Sequence, residues 1–195
     1  MNQVSKQAKD VARQTSVNFG IMEPPIYRHW DDDHRQDIHV LEAADRPQIG
    51  VTSYATVGLS EYPIVRNGEE LKLGVELLGA CSSAYPGFEK VMATLGFCII
   101  NSKWFCAPGV IFPGAINMYD ISSTMSDIYF ANQYLWGDNF KSMSIDGKTI
   151  AWLLAVPVSK QESEFANRYG PEKLEKLFAD KGIDIFDLNR VSVVS

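Results

Sequence analysis

The chain carries little of the equipment that most chemistry needs. Its 195 residues include only three histidines and three cysteines. Cys81, Cys98 and Cys106 form no C-x-x-C pair, and an odd count fits a reducing compartment rather than a disulfide framework. There is no Walker A loop, no dinucleotide G-x-G-x-x-G and no G-x-S-x-G nucleophile elbow. Positive charge is short as well: 18 Lys and Arg stand against 24 Asp and Glu, a net charge of −6. Nucleic acid and anionic membrane are polyanions, so an acidic chain disfavours both and leaves basic proteins as the natural partners. No apolar run approaches a membrane span, and the opening M-N-Q-V-S-K-Q-A-K-D lacks the apolar centre of a signal peptide. These absences predict a soluble, cytoplasmic protein that needs neither cofactor nor metal.

What is present suffices for a packed core. The hydrophobic share is 46%, and a chain of this length buries about 70% of its unfolded surface. Gln48–Pro63 is the organising stretch. Ile49–Val57 is rich in β-branched and aromatic residues and reads as a buried strand. Gly58–Pro63 breaks it, which predicts a polar loop with Ser60, Glu61 and Tyr62 at its tip. Asn67-Gly68 is a hairpin signal, and the apolar run Leu71–Ala80 supplies the returning strand. Residues 48–80 are thus expected as the central pair of one sheet.

Around this pair the pattern predicts a thin-striped helix over 3–18, an edge strand at 26–30 and a further strand near 38–41. It also predicts a buried helix from Phe88, a strand at 127–131, and a hairpin turning at Asp146-Gly147 into a strand at 149–158. Ser159-Lys160-Gln161-Glu162 is a capping box, and Gly170-Pro171 closes one helix and opens another. The expected class is α+β, with a mixed, mainly antiparallel sheet covered by helices. Residues 1–25 are expected as an N-terminal helix and linker, and 26–195 as the main domain.

Three constellations could carry function. His29, Asp31, Asp32, Asp33, His34 and His39 include good ligands for divalent ions, although no fixed ligand spacing joins them. The cysteines sit in apolar surroundings, where a thiol usually serves as a small hydrophobe. The third is acidic surface: Asp31, Asp32, Asp33, Glu61, Glu69 and Glu70 could face a basic partner, with solvated faces as the plain alternative.

Several blocks carry a family resemblance: I-G-V-T-S-Y-A-T-V-G-L-S-E-Y (49–62), E-L-L-G-A-C-S-S (76–83), F-C-I-I-N-S-K-W-F-C-A-P-G (97–109), I-A-W-L-L-A-V-P-V-S (150–159), and the C-terminal E-K-L-E-K-L-F…D-I-F-D-L-N-R (172–190). Together they resemble the suppressor-of-fused-like family from about Ile26 onward. The resemblance implies a binding protein rather than an enzyme and brings no catalytic residues. Its bacterial members imply an antitoxin or immunity protein that neutralises a cognate nuclease toxin, often one with an LXG-type secretion domain. The animal members imply the alternative of an intracellular scaffold for a regulatory peptide. A metal-dependent hydrolase built on His29–His39 is the remaining reading.

Overall fold

A computed structural model describes residues 4–145 and 147–194. The first helix, α1 (Lys6–Phe19), begins where the Ser5 hydroxyl accepts from Ala8 N at 2.9 Å. It ends where Gly20 turns left-handed. The strands then follow as β1 (Ile26–Trp30), β2 (Asp37–Ala43), β3 (Val51–Val57), β4 (Ile64–Arg66), β5 (Glu69–Leu71) and β6 (Leu73–Ser82). Helix α2 (Phe88–Ile100) leads to β7 (Ile111–Phe112), β8 (Asp127–Asn132), β9 (Met143–Ile145) and β10 (Lys148–Val158). Helices α3 (Lys160–Tyr169) and α4 (Pro171–Lys181) close the order.

The main sheet runs β1-β2-β3-β6-β10-β8-β7, with β9 also paired to β10. Every neighbouring pair is antiparallel except β6 and β10, which are parallel from Leu73↔Thr149 to Gly79↔Ala155. The expected mixed, mainly antiparallel α+β class is the observed one. Strands β3 and β6 are the adjacent pair that the 48–80 stretch predicts, in the register Val51↔Ser82 to Ala55↔Leu78. The Asn67-Gly68 turn, however, joins β4 and β5 into a separate two-stranded ribbon. Asp146 of the second expected turn lies outside the described residues. Pro157 lies inside β10, opposite Ile128. Pairing to β6 stops at Ala155, so the missing N–H falls where β10 has one neighbour instead of two.

Each face of the sheet has its own core. On one side α2 packs Val91, Met92, Leu95 and Ile99 over Ile38, Val40, Val75 and Leu77. The approach is close enough to demand glycine: a Cβ at Gly96 would lie 2.1 Å from Ile38 Cδ1, and one at Gly79 would lie 2.7 Å from Met92 Sδ. The other side holds α1, α3, α4 and an aromatic group of Phe19, Trp136, Phe140 and Trp152, with ring centroids about 5 Å apart. The helix expected to show a thin stripe therefore contributes Ala8, Val11 and Phe19 to a core. Trp136, in the turn that follows β8, is likewise buried, and its indole N–H donates to Ser53 Oγ at 3.2 Å.

The C-terminal segment is fastened by charge as well as by apolar contact. Glu162, the third residue of the capping box, is fully buried. Arg190 grips it with two nitrogens at 2.6 and 2.7 Å, and the backbone N–H groups of Ser159 and Val193 donate to the same carboxylate at 3.0 and 2.9 Å. Arg190 also donates to Pro157 O, and its guanidinium lies 5.4 Å from the Phe178 ring. Ser82 N to Phe186 O at 2.8 Å and Tyr85 Oη to Asp187 at 2.6 Å hold the same segment against the end of β6.

Candidate functional site

The acidic residues singled out in the sequence fall into two groups. Asp31, Asp32 and Asp33 form the turn between β1 and β2, the sharpest concentration of negative charge on the surface. Asp31 is committed to holding that turn. One oxygen accepts from Arg35 N at 2.7 Å and Gln36 N at 3.1 Å, and the other accepts from Asn101 Nδ2 at 3.1 Å. The Gln36 backbone bond is the chief reason that its pKa lies below the ordinary carboxylate value. Asp32 and Asp33 project outward, Asp33 within 3.7 Å of the exposed Arg35.

Glu61 belongs to a single 3₁₀ turn at Leu59–Glu61 and accepts from the Ser5 hydroxyl. Tyr62 ties this turn to the hairpin tip by donating to Gln36 Oε1 at 3.0 Å. Burial raises the Tyr62 phenol, and Asp37, Glu61 and Asp31 add to the rise. The charges of three carboxylates therefore bear on one hydroxyl. Asp37, the third of them, was missed in the sequence because it stands alone among apolar strand residues. Glu69 and Glu70 are apart, exposed on the β4–β5 ribbon with Glu69 opposite Arg66.

Beside the hairpin tip lies a groove of about 550 Å³ between β1 and α2. Phe97, Met118 and Trp30 give it an apolar wall, and Asp32, Asp33 and Lys90 line its rim. Trp30 is 43% and Met118 68% exposed, an unusual offering of large apolar surface next to carboxylates.

Ser60, expected at the tip of a polar loop, is buried. The turn folds inward because Glu76 on β6 collects its backbone donors. Glu76 is the single charge in the Val75–Ala80 run and is fully buried. It accepts from Thr56 Oγ1 at 2.6 Å, Gly58 N at 3.0 Å and Ser60 N at 3.0 Å. Burial raises its pKa to about 7, and these donors oppose the rise. Among the described residues, no cation takes part in the cluster. Lys148 Nζ reaches only the Ser60 carbonyl, at 2.5 Å.

The other two constellations are dispersed. The register sets His29 opposite Ile38 and His39 opposite Arg28, so the two imidazoles point to opposite faces of the sheet. His34 occupies the turn and stacks against Trp30. Among the described residues, no group of three or more His, Cys, Asp or Glu is arranged to hold a metal ion. Cys81 and Cys106 are buried, and burial pushes both thiols up to about 12, which keeps them protonated and poor as nucleophiles. No described helix is long and apolar enough to cross a membrane.

A sheet with a core on each face and an acidic hairpin tip can be set beside known proteins. The sequence model of the suppressor of fused protein family matches residues 33–191, and the chain belongs to that family. A particular relative is the immunity protein YqcF of Bacillus subtilis (strain 168). It is 38% identical over 191 residues, covering 98% of this chain and 99% of the relative. Among solved structures, a suppressor-of-fused homologue from Neisseria gonorrhoeae FA 1090 superposes with a TM-score of 0.71 at 18% identity, covering 97% of each chain. The Sufu–Fu complex gives 0.68 at 13% identity, covering 96% of this chain and 92% of that one. Drosophila Suppressor of Fused gives 0.67 at 13% identity, and there this chain spans about half the length, 51%. At these identities the structures establish a shared fold and nothing further.

Proposed function

We propose that this protein is an immunity protein, an antitoxin that binds a cognate nuclease toxin of the LXG type in the cytoplasm and silences it without catalysis of its own. The carrying observation is the 38% identity to an immunity protein over nearly the full length of both chains. The charge balance supports it. A nuclease presents a basic cleft to a polyanionic substrate, and an inhibitor with net charge −6 competes for that cleft. The proposed contacts are Asp31, Asp32, Asp33, Glu61, Glu69 and Glu70. Asp32 and Asp33 are the foremost of these, because their carboxylates are not spent on the turn. The scaffold alternative rests on fold likeness at 13% identity and ranks below.

Co-expression with the protein encoded beside this gene tests the reading, followed by pull-down and a nuclease assay. A stable complex with the nuclease silenced is expected. The double substitution Asp32→Lys/Asp33→Lys should slow association at low salt by about tenfold or more and have less effect at high salt. A harmless neighbour that forms no complex would remove the immunity reading. Unchanged association by the double variant would remove the hairpin tip from the interface.

A further inference from the structure

The two ends of the main sheet are finished very differently. β7 is two residues long and largely covered, a protected edge. β1 is a five-residue terminal strand, Ile26-Tyr27-Arg28-His29-Trp30, exposed at every position but His29. Its pairing to β2 runs unbroken through five residue pairs, with no bulge, lysine or proline inside the strand. These are the devices that usually blunt an edge, and none is used here. Its one charged side chain, Arg28, is occupied by Asp37 at 2.6 Å.

The hydrogen-bond phase shows which groups the edge offers. Glu42 N donates to Pro25 O, and Asp31 N donates to Gln36 O, both at 3.0 Å. Hydrogen-bonded pairs alternate with non-bonded pairs along an antiparallel ladder. Tyr27 and His29 therefore spend their backbone groups on β2, while Ile26, Arg28 and Trp30 direct theirs away from the sheet. Among the described residues nothing pairs with these three amides and three carbonyls, which stand at two-residue spacing.

Charge identifies what fits there. Residues 23–42 hold six carboxylates against two arginines, a local charge of −4 within a chain total of −6. Glu23 precedes the edge, and Asp32 and Asp33 follow it. A second copy of this chain is a poor occupant. Antiparallel self-pairing about Arg28 would set Arg28 against Arg28 and Glu23 against Asp33, and like charges directly opposite are destabilising.

We infer that the outer edge of β1 receives an extended cationic segment of the protein partner by strand addition. The segment's main chain pairs with Ile26, Arg28 and Trp30, and its Lys or Arg side chains meet Asp32 and Asp33. The inference builds on the reading that this chain binds a basic protein, and it specifies where and how. Main-chain pairing supplies affinity, and the flanking carboxylates select for charge.

The test follows amide hydrogen exchange at Ile26, Arg28 and Trp30 in the full chain. Two ligands are used: the co-encoded protein, and an alternating lysine–valine decapeptide with its glutamate–valine counterpart as control. The co-encoded protein and the lysine peptide should protect all three amides; the glutamate peptide should not. Arg28→Pro deletes an outward N–H without touching the β2 ladder, so it should fold and bind both ligands about tenfold or more weakly. Arg28→Ala keeps the N–H and should lose far less. Equal binding by the two Arg28 variants, or exchange at the three amides unchanged by both ligands, would overturn the edge site. Equal protection by both peptides would overturn its cationic preference. Absence of any complex between wild type and the co-encoded protein would instead strike the immunity reading, and the peptides would still decide the edge.

Discussion

Glu76 and Glu162 are both fully buried glutamates, yet the protein accommodates them by opposite means. Glu162 is answered by a cation: Arg190 takes both its oxygens, and two backbone donors fill the remaining lone pairs. Glu76 is answered only by neutral donors, a threonine hydroxyl and two backbone N–H groups at the start of a 3₁₀ turn. Desolvation favours the uncharged acid, and without a cation nothing fully offsets it. The first arrangement is a closed ion pair. The second leaves a group whose charge depends on pH, placed beneath the turn that presents Glu61.

The contrast is most sharply broken at Arg190. Replacing it with methionine leaves Glu162 buried and unpaired, and should cost about 3–5 kcal/mol in urea denaturation. The double variant Glu162→Met/Arg190→Met should recover much of that loss. If Arg190→Met alone is nearly neutral, the pair does not hold the C-terminal segment.

A smaller effect is expected from Glu76. Its folded pKa, raised by burial from 4.5 to about 7, means that the folded state holds its proton more tightly than the unfolded chain. The resulting stabilisation is complete below about pH 4.5 and is lost as pH rises through about 7. Its full span is about 3 kcal/mol. Denaturation of wild type and Glu76→Gln at pH 5 and pH 8 reads the effect as the difference in their pH slopes. Parallel slopes would mean that Glu76 keeps the same affinity for its proton in both states.

These two residues also mark how far the sequence could be read. Local signals were legible. Ser159 and Glu162 announced a helix start, Gly170-Pro171 a helix junction, the β-branched run before Gly58 a strand, and the apolar repeat from Phe88 a covering helix. Each depends on neighbours within a turn or two. Glu162 was read correctly as a cap, but its cation lies 28 positions onward in an irregular segment with no periodicity to advertise it. Glu76 looked like a lone charge in an apolar run, because its partners Thr56, Gly58 and Ser60 lie on another strand and the turn after it. The same pairing drew Ser60 indoors against expectation. Of the candidate surface, the Asp31–Asp33 run was legible as charge. That Asp31 would serve the turn, and that the charges of Asp37 and Glu61 would act on Tyr62, depended on strand register. That Ile26–Trp30 would be an edge strand was legible; which of its backbone groups face outward depended on its register with β2.

The parallel join of β6 to β10 has a consequence in time. Thr149 lies 76 positions after its partner Leu73, whereas the strands from β1 to β6 meet through short antiparallel connections. Closing a loop of that length costs about 4 kcal/mol of chain entropy before any contact repays it. The half-sheet of β1, β2, β3 and β6, with α2 laid across it, can form while β6 still lacks its second neighbour. Folding should therefore proceed in two instalments, with the docking of β10 the slow one. Pulse-labelled amide exchange during refolding should protect β3 before β10, and simultaneous protection would show that the two halves assemble together.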